Sequence, residues 1–218
     1  MFIILFCPGS ESGSIRHRAI THHKNRRSEN MKAIGIVGSP RKEGNTEIIT
    51  SHALKAIEEE GIETELIRLS GLTIKPCNAC MVCEKKETCP LDDDLLPIYA
   101  KMKEADAIIL ASPVYFGSAT ALLKAFIERA GYIAYNNGGL FDGKIGGALV
   151  VAGRSGQNFT LAELSLWFQI LGFSVPSSPD WNISFGEEKG TVREDQEGMD
   201  TAWAFGKKIA LLTKKLRA

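Results

Sequence analysis

The chain lacks a long hydrophobic run. Its opening segment, Met1-Phe2-Ile3-Ile4-Leu5-Phe6-Cys7, is far too short to span a bilayer, and it has too few apolar residues and no basic lead for an export signal. A cytoplasmic protein is expected, with no membrane partner. An excess of charge is missing too: Lys+Arg and Asp+Glu are each 26 in 218 residues, so no global field recruits nucleic acid. The expected partner is a small molecule or another protein. No repeat of solenoid period is visible, nor is GxGxxG, nor GxxxxGK followed by Ser or Thr, which disfavours nucleoside triphosphate chemistry. With 44% hydrophobic and 24% charged residues, collagen-like, low-complexity and disordered chains are excluded, and the length suits one domain with a core that needs no disulfides.

The neutral total hides an asymmetry. Residues 1–30 hold Arg16, Arg18, Lys24, Arg26 and Arg27 against Glu11 and Glu29, and three of the four histidines. The other 188 residues carry 21 basic and 24 acidic groups, a net of −3. Because no hydrophobic period runs from Pro8 to Asn30, residues 1–30 are expected to be a disordered tail, or sequence upstream of the true start, with the domain at 31–218. His17, His22 and His23 read as solvated tail residues rather than a metal site.

From Met31 the pattern alternates. Buried strands are expected at 32–38, 63–69, 107–111, 146–152 and 173–175, and helices at 46–60, 94–104, 119–130, 160–171 and 195–216. Strands separated by helices make parallel βαβ units, and five of them make an α/β doubly wound five-stranded parallel sheet in a three-layer sandwich. Strand-to-helix loops of such a sheet share its carboxyl rim, where ligands bind at the switch point.

The first of these loops, Gly38-Ser39-Pro40-Arg41-Lys42-Glu43-Gly44-Asn45-Thr46, joins a strand to a helix start. Free N–H groups and the dipole there favour a phosphate, with donors from Ser39, Asn45 and Thr46 and a charge from Arg41; a plain helix cap is the alternative. A later loop, Ser112-Pro113-Val114-Tyr115-Phe116-Gly117-Ser118, suits a planar aromatic ligand. The glycine-bracketed turn Gly153-Arg154-Ser155-Gly156 lets backbone approach that ligand closely. Together they describe a site for a phosphorylated flat molecule.

These motifs, with Leu123-Lys124-Ala125-Phe126-Ile127-Glu128-Arg129 after the second, resemble the flavodoxin-like NAD(P)H-dependent FMN reductases over residues 31–216. The resemblance implies an oxidoreductase with FMN, its phosphate on Ser39, Arg41, Asn45 and Thr46 and its ring on Pro113, Val114, Tyr115, Phe116, Gly117 and the Gly153, Arg154, Gly156 turn. It further implies NAD(P)H as a substrate and a homodimer or homotetramer with flavin near a subunit boundary, where a cluster of one subunit would serve a neighbour's flavin.

Four of five cysteines fall within 76–90: Cys77, Cys80, Cys83 and Cys89, spaced CxxCxxCx5CP. Zinc ordinarily takes two CxxC pairs with a long spacer. The ferredoxin run CxxCxxCxxxCP is nearer, and the longer last spacer gives Cys89 slack to return to the same cluster. Zinc, redox-active thiols and inert cysteines stay open. On this scaffold the motif resembles the iron–sulfur flavoproteins, which implies one 4Fe-4S cluster on those four cysteines beside FMN. Such a protein would convert between one-electron exchange with a ferredoxin-like protein and two-electron chemistry at FMN, or reduce a small oxidant. The alternatives are an NAD(P)H-dependent FMN or quinone reductase whose cysteines bind zinc or nothing, and a plain electron carrier.

Because the cysteine loop follows the second strand, it is expected on the same rim as the flavin loops. Gly131 to Phe141 is expected to be a turn-rich interface segment, and Asp92-Asp93-Asp94 to cap the next helix.

Overall fold

The computed structural model describes residues 30–217. The tail expected at 1–30 therefore lies, but for Asn30, outside the described residues, as do its three histidines and Cys7. Five strands, β1 (Lys32–Val37), β2 (Glu63–Arg68), β3 (Ala107–Pro113), β4 (Ile145–Ala152) and β5 (Ile183–Phe185), form one parallel sheet in the order β2-β1-β3-β4-β5. Five helices connect or follow them: α1 (Asn45–Glu58), α2 (Leu95–Glu104), α3 (Ala121–Asn136), α4 (Gln157–Ile170) and α5 (Gln196–Arg217). This is the expected doubly wound, flavodoxin-like three-layer fold.

Period-two strands explain the layering, because successive side chains enter opposite faces. Ala33, Ala107, Ile109, Ile145 and Leu149 meet Ile49, Ala53 and Ile57 of α1 and Phe205 and Ile209 of α5. Ile34, Ile36, Ile108, Leu110 and Val150 meet α2, α3 and α4 through Ile98, Leu123, Phe126, Leu164 and Phe168. Both faces being covered, β1, β3 and β4 are apolar almost throughout. Gly146 and Gly147 make room for rings on opposite faces: a Cβ would lie 2.5 Å from Phe168 Cε1 at the first and 2.6 Å from Phe205 Cζ at the second.

Two expectations are corrected. Helix α3 runs to Asn136 rather than stopping at Ala130, so the first half of the Gly131–Phe141 segment is helix. Gly131 does not break it because the residue is needed for packing: a Cβ would sit 2.8 Å from Trp167 Nε1, which donates to the Ile127 carbonyl at 2.8 Å. Phe173 to Val175 is not a strand; Ser174 alone makes a parallel bridge to Ile145, and the fifth strand forms only after Pro176 and Pro179, at Ile183.

The chain passes from β1 to β2 on one side and then crosses back to β3 on the other side of β1, so the switch point lies between the carboxyl ends of β1 and β3. Among the described residues no helix is long and apolar enough to cross a membrane.

Candidate functional site

Three loops converge at that switch point. The Gly38 carbonyl accepts from Thr120 Oγ1 at 2.7 Å, and a Cβ on Gly38 would lie 2.6 Å from Leu123 Cβ, so the loop after β1 touches the start of α3. Thr120 also caps α3 through the Leu123 N–H at 3.2 Å. Within the first loop the buried Ser39 hydroxyl accepts the Arg41 N–H at 3.2 Å. Gly44, with no side chain to offer, is the N-cap of α1, which leaves first-turn N–H groups facing the rim. The Glu47 carboxylate takes the Glu43 N–H at 2.8 Å and pairs with Arg68 at 2.7 Å. The Arg68 hydrogen bond, opposed by burial, holds its carboxyl below the ordinary range.

Asn45 departs from expectation. Its Nδ2 donates to the Glu188 carbonyl at 2.7 Å, and its Oδ1 accepts the N–H groups of Gly190 at 2.7 Å and Val192 at 3.4 Å. The side chain ties the 186–192 loop through its oxygen and one of its two amide N–H groups. Arg41 reaches the same loop, donating Nη1 to the Glu187 carbonyl at 3.1 Å, while its remaining donors stay at the rim. Thr46 is buried, and its carbonyl accepts from Thr50 Oγ1.

The aromatic loop is a tight hairpin. Tyr115 and Ser118 exchange backbone hydrogen bonds at 2.9 and 3.1 Å around Phe116 and Gly117, whose φ values of 52° and 76° are those of a primed turn. Glycine suits this geometry; a fully exposed phenylalanine at positive φ is strained, the kind of outlier that clusters at ligand sites. Glu163 of α4 fixes the hairpin's return, accepting from Ser118 Oγ at 2.8 Å and the Ala119 N–H at 3.0 Å, with Lys124 at 3.1 Å from its other oxygen. Burial opposes its charge, but these donors outweigh burial and lower its carboxyl's pKa. Gly156, at φ 86°, brings the third loop in: a Cβ there would stand 3.1 Å from Gly117 Cα and 3.2 Å from Val114 Cγ1. Gly153 and Arg154 are exposed beside it.

The cysteine loop begins at this rim but does not stay there. Ser70 Oγ donates to the Pro40 carbonyl at 3.0 Å, tying the loop's start to the first loop. The chain then descends along α3. Arg129, eight residues into that helix and about 12 Å below its first turn, donates Nε and Nη2 to Cys89 Sγ at 3.3 and 3.2 Å. Asn137, just past the last turn and about 24 Å down, donates to the Cys83 carbonyl at 2.9 Å, and Asn136 Nδ2 lies 3.9 Å from Cys83 Sγ. The expectation that these sulfurs share the rim of the flavin loops is thus corrected: sheet topology fixes where a loop leaves, not where twenty residues of it go.

Asp93 is corrected as well. It does accept the Leu95 N–H at the start of α2, at 3.2 Å, but it chiefly holds Arg129, through Oδ2 to Nη1 and Oδ1 to Nη2, and the Lys75 N–H at 2.8 Å. The pair's side chains are 1% and 0% exposed. Burial disfavours the Asp93 charge and these hydrogen bonds outweigh it, keeping the carboxyl below its usual range. Removing one partner of such a pair costs about 3–5 kcal/mol. Asp94 instead accepts the Thr73 N–H at 2.7 Å.

A model of the NADPH-dependent FMN reductase family matches residues 31–188. The chain belongs to that family. An iron-sulfur flavoprotein of Methanocaldococcus jannaschii is 40% identical over 194 residues, 86% of this chain and 100% of the relative. One from Methanosarcina thermophila is 39% identical over 182 residues, covering 82% and 93% respectively. Among solved structures, RosB with a bound riboflavin-phosphate intermediate superposes with a TM-score of 0.70 at 20% identity, covering 86% of this chain and 80% of RosB. An archaeal flavodoxin gives 0.57 at 18%, covering 86% and 100%. These superpositions establish the fold.

Family membership makes the chain a flavin-dependent oxidoreductase, and the rim fits FMN by its own features: a first turn of α1 without a side-chain cap, a buried Ser39, and an aromatic hairpin in contact with a glycine turn. The cysteines fit an iron–sulfur cluster in their donor chemistry. All four are free thiols, Cys77 and Cys80 exposed and the others half-buried, and N–H groups point at three: Ala79 N–H to Cys77 at 3.4 Å, Asn136 to Cys83 and Arg129 to Cys89. Burial pushes the Cys83 thiol up, with Asn136 working against it. Among the described residues no three Cys, His, Asp or Glu side chains stand close enough, as placed, to hold a metal ion. Sequence reasoning missed Glu163, Asn136, Asn137 and the pairing of Asp93 with Arg129; an arginine on an otherwise apolar helix face was the one available signal.

Proposed function

We propose that this flavin oxidoreductase holds FMN at its carboxyl rim and a 4Fe-4S cluster on Cys77, Cys80, Cys83 and Cys89, and exchanges electrons with a ferredoxin-like protein or a small oxidant. The observation that carries it is the loop of four free thiols, three of them facing N–H donors, on a chain whose rim fits FMN. When bound, FMN supplies one- or two-electron chemistry and a cluster single-electron exchange. Ser39, Thr46, Arg41 and the first turn of α1 hold the phosphate; Pro113, Val114, Tyr115, Phe116 and Gly117 set the ring's plane; Gly153, Arg154 and Gly156 close over it. NAD(P)H is the proposed reductant.

With Cys83 and Cys89 beside the later turns of α3, exchange between the two sites is proposed to run between subunits of a homodimer or homotetramer. Support comes from α4, whose Phe159, Leu166 and Ile170 are exposed on one side with Ala162, and from Tyr132 and Tyr135 on α3. Contiguous apolar faces of this kind mark protein interfaces.

Anaerobic purification with quantitation of iron, acid-labile sulfide, zinc and flavin tests the reading. Iron and sulfide with FMN are expected, and Cys83→Ser should abolish the iron while leaving FMN. Zinc without iron or sulfide would instead support a second reading, an NAD(P)H-dependent FMN or quinone reductase, which the family match over residues 31–188 favours. NAD(P)H oxidation measured with and without ferredoxin tests the partner.

A further inference from the structure

We propose that Arg129 is a positioning residue that sets how readily a cluster held by Cys89 accepts an electron. This rests on the cluster reading above and deepens it. The guanidinium has five N–H donors, and each has an acceptor: Nε meets Cys89 Sγ, Nη1 meets the Lys75 carbonyl and Asp93, and Nη2 meets Asp93 Oδ1 and Cys89 Sγ. Neither rotation nor withdrawal is possible without breaking several of these at once. Asp93 lies on the far side of the fork from the sulfur contacts, so the buried pair presents its positive end to Cys89.

The other sulfurs receive neutral donors, a backbone N–H at Cys77 and an amide at Cys83. Cys89 alone among the hydrogen-bonded cysteines of the described residues meets a cation, in surroundings where the ion pair is out of water. Hydrogen bonds to sulfur, local charge and solvent exposure are the levers that a protein has on cluster potential. Reduction adds one electron to the cluster, with no bond made or broken and no proton required, so the reduced state carries one more negative charge. Charge-assisted N–H···S contacts in a site of low dielectric stabilise that state over the oxidised one. Arg129 therefore raises the potential.

The experiment is a spectroscopic redox titration of the anaerobically purified holoprotein, with iron, sulfide and FMN measured on each sample. Two variants are compared with the unmodified chain: Arg129→Lys, which keeps a cation for Asp93 but loses the two-nitrogen fork, and Arg129→Met with Asp93→Asn, which removes both charges. With FMN content and flavin potential unchanged, the ratio of reduced to oxidised cluster at the unmodified protein's midpoint should fall about tenfold in the double variant, a downward shift of about 59 mV. The lysine variant should fall between.

A loaded cluster with an unshifted or raised potential overturns the inference and leaves the cluster reading intact. Absence of iron from the unmodified protein overturns the reading itself. If the lysine variant lacks iron, the double variant is read in the same way; loss of iron from both, with FMN retained, overturns the tuning role and makes Arg129 a structural brace.

Discussion

Replacing Asn45 by alanine tests whether this side chain is a loop tie or a phosphate ligand. As a tie it makes two hydrogen bonds of 2.7 Å, with the Glu188 carbonyl and the Gly190 N–H, and a longer one from Val192. Each normal bond contributes about 1 kcal/mol net, and the fully buried Val192 would be left with a stranded N–H, worth about 1 kcal/mol more. The expected loss is about 2–3 kcal/mol, or a melting temperature about 4–12 °C lower for a chain of this length. Urea denaturation followed by circular dichroism should show the midpoint falling with an unchanged slope. Asn45→Asp keeps the acceptor but sets a carboxylate oxygen against the Glu188 carbonyl, so it should recover only part of the loss. A stability change under about 0.5 kcal/mol for the alanine variant, accompanied by a tenfold or greater drop in FMN affinity measured by flavin fluorescence, would refute the reasoning and restore Asn45 as a phosphate donor.

Three further outcomes follow from the site. Glu163, with its carboxyl pKa lowered in the folded state, contributes its stabilisation fully above the ordinary value of 4.5 and loses it as pH falls through the lower folded value. Acid should therefore release the aromatic hairpin, and Glu163→Gln should show less of this loss in a pH series of FMN-binding measurements. Gly156→Ala, strained at φ 86° and pressed on Gly117, should destabilise the chain by about 1–3 kcal/mol and weaken FMN binding, read by thermal melts and flavin titration; an unchanged affinity would separate the third loop from the ring site. Leu166→Glu on the exposed side of α4 should convert an oligomer to a smaller species in sedimentation velocity without lowering the melting temperature by more than a few degrees; unchanged assembly would assign the interface elsewhere.

The sheet was legible because covered parallel strands write their burial directly as apolar runs, as in Ala107 to Ala111, and because connecting helices carry their own period. The failures have separate causes. Gly131 has the look of a helix stop when only its backbone freedom is considered, whereas its smallness serves Trp167, 36 residues downstream. Phe173 to Val175 has strand composition but is followed by Pro176 and Pro179, which delay pairing to Ile183. At the site, the three flavin loops were readable because each motif is local. The loop contacts of Asn45 were not legible because their partners, Glu188 to Val192, are more than 140 residues downstream. The cysteines declared their chemistry by spacing, but their position depends on Arg129, Asn136 and Asn137, which touch them only in three dimensions.

The interrupted fifth strand has a consequence for how the molecule meets its own kind. A parallel layer invites further chains to add at its margins by main-chain pairing, the route to uncontrolled growth. Here one margin is a strand of three residues preceded by a proline-bearing excursion, and the other, β2, carries Glu63, Glu65 and Arg68 along its length. Ribbon-to-ribbon stacking is discouraged at both borders, so any ordered association is left to side chains on the helical flanks, where stoichiometry is finite.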